Sequence, residues 1–109
     1  MKGYVYLLTD GELYKIGVTR GSIDKRIAKL QTGNPYIIQM LDCYETEAPF
    51  KLEKILHFRY SGKRVNNEWF ELSNDDVSNF KLECERIENM LESIKDNPYV
   101  TRECSKTGL

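Results

Sequence analysis

The chain has 109 residues, 40% of them hydrophobic and 30% charged, which suits one globular domain with a modest core and excludes a disordered polymer. No apolar run approaches the roughly 18 residues of a membrane span, and Met1-Lys2-Gly3-Tyr4 leads directly into a strand-like pattern rather than a signal sequence; an intracellular, cytoplasmic protein with no membrane partner is expected. The formal net charge of -1 hides an uneven distribution: residues 1–64 carry 11 Lys and Arg against 7 Asp and Glu, residues 65–109 carry 5 against 10, so the first part is the one suited to meet phosphate.

Tyr4-Val5-Tyr6-Leu7-Leu8 and Leu13-Tyr14-Lys15-Ile16-Gly17-Val18 are β-prone runs separated by Asp10-Gly11, a strong type I′ turn signal. With a two-residue turn, Leu8 pairs with Leu13, Leu7 with Tyr14, and Tyr6 with Lys15. Val5, Leu7, Tyr14, Ile16 and Val18 then form the core face; Tyr4, Tyr6, Lys15 and Gly17 lie on the other, with Tyr6 and Lys15 directly opposed.

Ser22 is a suitable N-cap for a helix from Ile23 to about Gln31, stopped by Gly33-Asn34-Pro35. Ile23, Ile27 and Leu30 supply its buried stripe, with Arg26 at the edge. Tyr36 to Tyr44 reads as a third strand. Leu52, Ile55, Leu56 and Arg59 recur at helical spacing, predicting a second helix from about Ala48 to Tyr60 that starts at Thr46 or Glu47 and puts Glu53 and His57, four apart, on one face.

After a loop with Lys63, Arg64, Asn66 and Asn67, Glu68-Trp69-Phe70-Glu71-Leu72 reads as a short strand or an aromatic-anchored turn, with Trp69 and Phe70 as core anchors. Ser73-Asn74-Asp75-Asp76 approximates a capping box for a third helix over 73–96. Val77, Phe80, Cys84, Ile87, Leu91 and Ile94 form a heptad-like seam there, which either covers the chain's own core or joins two copies as a homodimer. Asn97-Pro98 ends it, leaving a polar tail over 97–109. Cys43, Cys84 and Cys104 are odd in number and form no Cys-x-x-Cys pair, so they read as free thiols, two in the core and one in the tail.

Five segments in this order, YVYLL (4–8), YKIG (14–17), KRIAKLQTGNP (25–35), LEKILHFRY (52–60) and NEWFEL (67–72), resemble the GIY-YIG nuclease superfamily, nearest to its branch of small phage, viral and meiotically up-regulated fungal proteins. The resemblance covers residues 3 to about 72. It implies an α/β (α+β) fold in which a small three-stranded antiparallel sheet is flanked by helices, with a nuclease domain over 1–72 and the helix over 73–96 as an addition.

The resemblance also implies a site. The first-strand tyrosine of the family falls on Tyr6, although Tyr4 replaces the family's glycine before it. The second-strand tyrosine position is Lys15, a departure from the pattern, and Tyr14 points the opposite way. The family arginine corresponds to Arg26, whose planar guanidinium matches phosphate oxygens, and the metal-binding glutamate to Glu53. His57, the chain's single histidine, lies one turn later and is suited to bind metal, hold a water or cap packing near Tyr60. The family's late asparagine falls on Asn66 or Asn67, with neither preferred.

The activity implied is hydrolysis of DNA phosphodiesters with magnesium (or manganese) on Glu53, with Tyr6, its pKa lowered by Lys15, helping to deprotonate the attacking water. The missing second tyrosine and weak basic charge favour an alternative, a DNA-binding or regulatory module that keeps the fold without cleavage. In a third reading the seam serves dimerisation and the hairpin is scaffold.

Overall fold

The computed structural model describes residues 2–96; the tail over 97–109, with Asn97-Pro98 and Cys104, lies outside the described residues. The first hairpin consists of β1 (Gly3–Thr9) and β2 (Tyr14–Thr19). Its register differs from the expected one: Thr9 pairs with Tyr14, Leu8 with Lys15, Leu7 with Ile16 and Tyr6 with Gly17.

Asp10 is the cause. Its Oδ1 accepts from the backbone N–H groups of Glu12 at 2.9 Å and Leu13 at 2.8 Å, drawing both residues into a four-residue loop. Gly11 has φ 105° while Asp10 does not adopt positive φ, so the type I′ turn, which needs both, does not form. The slip is two residues, an even number, so every side chain keeps its expected face: Lys15 shares a face with Tyr6 but lies two pairs further along, opposite Leu8.

The sheet has five antiparallel strands, not three, in the order β3-β1-β2-β5-β4. β3 (Gln39–Thr46) flanks β1, with a register shift at Leu7/Leu8. On the other side, β5 (Trp69–Phe70) pairs with β2 and β4 (Arg64–Asn66) pairs with β5. An uncovered β2 would leave its outer N–H and C=O groups unpaired; Trp69 and Phe70 take them up. Strands of two and three residues are too short to show alternation in sequence.

Both faces of the sheet are covered. Helix α1 (Ile23–Thr32), with Ser22 Oγ accepting from Lys25 N–H at 3.2 Å, lays Ile27 and Leu30 over buried Tyr6, Leu8 and Ile38. The opposite face receives α2 (Pro49–Arg59) and α4 (Phe80–Asp96), which bury Leu52, Leu56, Phe80, Cys84 and Ile87 against Val5, Leu7, Ile16 and Phe70. Such side chains contribute roughly 1.5–3 kcal/mol each. The face that carries Tyr6 is therefore a second, smaller core.

The expected third helix is two helices, α3 (Asn74–Ser78) and α4, separated at Asn79. Ser73 and Asp76 form the capping box, Ser73 Oγ accepting from Asp76 N–H and Asp76 Oδ2 from Ser73 N–H. Of the seam, Val77, Phe80, Cys84, Ile87 and Leu91 pack on this chain's own core, whereas Ile94 is exposed. Glu88 fastens α4 to β3, accepting from the hydroxyls of Tyr44 and Thr46.

Candidate active site

The site forms where β5 stops and the outer edge of β2 is left open. Ile16 N–H donates to the Glu68 carbonyl at 3.2 Å, and the Ile16 carbonyl lies 2.8 Å from His57 Nε2. A carbonyl only accepts, so Nε2 carries the proton, and His57 stands in for the strand partner that Ile16 lacks. Its ring meets Phe70 edge-on, centroids 5.0 Å apart. Glu53, one turn earlier on the same face of α2, is thereby held beside β2 and half-buried.

Tyr6 reaches the same place from β1. It is 2% exposed, and its ring lies across Gly17, where a Cβ would stand 2.4 Å from both Tyr6 Cζ and Oη. Only a residue without a side chain permits that approach.

On the α1 side, Lys15 Nζ pairs with Glu68 Oε1 at 2.9 Å and lies 5.7 Å from the centre of the Trp69 ring. Arg26, Lys29, Leu30, Gly33, Asn34 and Ile38 close a cleft of about 370 Å³ with Lys15 and Trp69. Arg26, Glu53 and Glu68, all distant from Tyr6 in sequence, lie near enough for their charges to act on its hydroxyl. Glu68 and Trp69 belong to NEWFEL, one of the five segments that carry the resemblance. A family model described as the T5orf172 domain matches residues 3–95, nearly the whole chain.

The chain belongs to the T5orf172 domain family. This is a phage-associated family of nuclease-like domains. No curated protein and no solved structure matches the chain.

In this T5orf172 domain the electrostatics correct one expectation. Burial pushes the Tyr6 hydroxyl above its ordinary pKa of 10.0; Arg26 opposes that, and Glu68 and Glu53 add to it. Lys15 is not among the groups that act on it: it stands two residue pairs along the hairpin, opposite Leu8, with its ammonium on Glu68. Tyr6 is a neutral phenol at neutral pH. Burial likewise raises the Glu53 carboxyl above 4.5, with His57 and Lys15 opposing and Glu68 reinforcing.

Glu53 is thus a desolvated carboxylate beside a second acid, a place where a cation is favourable. Among the described residues no three His, Cys, Asp or Glu side chains converge as a metal cage. A divalent ion here would have Glu53 as its protein ligand and complete its shell with water and phosphate oxygens, which is the habit of magnesium. The donor set fits that metal.

Sequence alone does not single out Glu68 as a site residue, and it marks Trp69 as a core anchor. The cross-strand pair Lys15–Trp69 brings both to the site, and only the position of NEWFEL in the resemblance hints at it. Asn67 takes positive φ, 48°, the turn conformation that asparagine tolerates better than most residues, and Asn66 is exposed on β4. Lys63 pairs with Asp76 and the Arg64 guanidinium stacks 5.4 Å from Phe70, on the sheet face opposite Lys15 and Trp69; the loop does not join the basic cleft. Among the described residues, no helix is long and apolar enough to cross a membrane.

Proposed function

We propose that this T5orf172 domain is a GIY-YIG-type endonuclease that hydrolyses DNA phosphodiester bonds with magnesium or manganese. What supports the reading is that Tyr6, its ring packed against Gly17 of β2, has Arg26 from α1 and Glu53 from α2 near enough for their charges to act on its hydroxyl. A scaffold requires none of these residue types there.

Arg26 makes no ion pair among the described residues, so its guanidinium is available to hold the scissile phosphate and neutralise the charge that develops on it. When bound at Glu53, the metal supplies charge stabilisation at the leaving oxygen, worth several kcal/mol in general. Water attacks phosphorus and the bond to the leaving sugar oxygen breaks. Tyr6, as a neutral phenol, relays the water's proton, accepting it while passing its own to solvent; no phenolate is needed in the free protein. His57 acts as a positioning residue through Ile16.

Lys15 in place of a second tyrosine, with its charge committed to Glu68, favours one other reading, a DNA-binding module without cleavage. Incubating supercoiled plasmid with the protein, with magnesium, manganese or a chelator, separates the two. Nicking that depends on the metal and is lost in Arg26→Ala supports the nuclease; binding without nicking under any metal supports the module.

A further inference from the structure

The cleft beside the proposed catalytic residues has a composition that hydrolysis does not require. Three cations, Lys15, Arg26 and Lys29, line it together with the half-buried indole of Trp69, Leu30 and Ile38, and no carboxylate is among the lining residues. Arg26 and Lys29 form no ion pair among the described residues. Its volume, about 370 Å³, lies at the small end of ligand sites, room for about one nucleotide.

One wall is fixed in advance. Gln31, from the last turn of α1, donates through Nε2 to the carbonyls of Asn34 at 3.3 Å and Tyr36 at 2.8 Å, and accepts through Oε1 from Ile38 N–H at 2.8 Å. Asn34 Oδ1 accepts from Tyr36 N–H at 2.9 Å. A single side chain thus shapes the whole turn from 33 to 38 and sets Gly33, Asn34 and Ile38 around the cleft. A loop held this firmly loses little further entropy when a ligand arrives.

We infer that this cleft is a subsite for one unpaired nucleotide next to the scissile bond, with the base against Trp69 and its phosphate on Arg26 and Lys29, so that the substrate is DNA with a single-stranded or extruded base. An aromatic face with flanking cations is how proteins hold bases free of a duplex. The inference rests on the nuclease reading for the identity of the neighbouring bond, and its test does not depend on cleavage.

Trp69 is the chain's single tryptophan, so its fluorescence reports this cleft alone. The full chain is titrated in chelator, at low salt, with an octathymidylate strand, with an abasic strand of equal length, with a blunt duplex and with inorganic phosphate. The octathymidylate strand quenches Trp69 and binds about 5- to 150-fold more tightly than the abasic strand, the range for one base–aromatic stack; duplex and phosphate leave the emission nearly unchanged. Lys29→Ser, an exposed helix position that folding does not need, weakens the strand several-fold. Equal binding and quenching by the abasic strand, or by the duplex, overturns the subsite, as does unchanged affinity in Lys29→Ser. Metal-dependent nicking with no base-specific quenching removes the subsite and leaves the nuclease; quenching without nicking keeps the subsite and removes the nuclease.

Discussion

The ring of Tyr6 and the backbone of Gly17 face each other across β1 and β2 so closely that position 17 has no room for a side chain, a Cβ there falling 2.4 Å from the phenol oxygen. The glycine of Tyr-Lys-Ile-Gly is therefore part of how Tyr6 is placed.

Gly17→Ala is expected to push the phenol aside, costing about 1–3 kcal/mol, as overpacking generally does, and reducing nicking severely. Tyr6→Phe keeps the ring and melts close to wild type while losing the hydroxyl's contribution. Melting curves and nicking rates for both variants check this. A Gly17→Ala protein with unchanged melting and cutting contradicts the packing.

His57→Ala should act on stability more than on chemistry. The Ile16 carbonyl loses the donor 2.8 Å away, and an unsatisfied buried acceptor costs about 1–3 kcal/mol; the edge-on packing of the imidazole against Phe70 disappears with it. Denaturant unfolding should show that loss, while nicking at a temperature where the variant remains folded falls only a few-fold. Abolished nicking in a fully folded variant would make His57 part of the chemistry.

Glu53 carries a pH signature. Its folded pKa lies above its unfolded value because of burial, opposed by His57 and Lys15 and reinforced by Glu68, so the folded state keeps its proton to higher pH. As pH rises through that window, the unfolded chain has already lost the proton and the folded one is forced to give it up, and stability falls. Glu53→Gln should therefore melt higher than wild type above the window and alike below it, without added metal. Nicking by wild type should rise across the same window as the carboxylate forms. A Glu53→Gln protein that melts lower than wild type at neutral pH contradicts the burial argument.

Lys15 and Tyr14 should separate by readout. Lys15→Met removes the ion pair with Glu68, whose carboxylate is 43% exposed and can turn to water, so the expected stability change is within about 1 kcal/mol and the effect falls on DNA binding and nicking. Tyr14 is only partly buried against the main core, and Tyr14→Ala should cost about 1–3 kcal/mol, less than the roughly 3–5 kcal/mol of a fully buried large aromatic. If Tyr14→Ala melts as wild type yet cannot cut, Tyr14 belongs to the site.

The helices are legible from periodicity and from two caps, Ser22 and the Ser73/Asp76 box; α2, however, starts at Ala48-Pro49 with no side-chain cap rather than at Thr46 or Glu47, and the spacing does not reveal the break at Asn79 between α3 and α4. The faces of the hairpin are legible too, because parity survives a slip of two. The register is not, since Asp10-Gly11 signals a tight turn while the Asp10 carboxylate satisfies a longer one equally well. Glu68–Leu72 reads as a short strand or an anchored turn and does hold β5, whereas its pairing with β2 and the existence of β4 follow from what β2 leaves unpaired, a property of the sheet rather than of residues 64–70. Glu68 is hidden for the same reason: only the pairing of Lys15 with Trp69 brings it to the site. Arg26 and Glu53 become visible through the family resemblance, because each alone is an ordinary helix charge.

The most direct test of the nuclease reading is nicking of supercoiled plasmid by wild type and Glu53→Ala side by side in magnesium, with binding of the same DNA measured in chelator. Glu53→Ala is expected to bind DNA within a few-fold of wild type and not to nick it. Equal nicking by the two proteins, at equal binding, would contradict it.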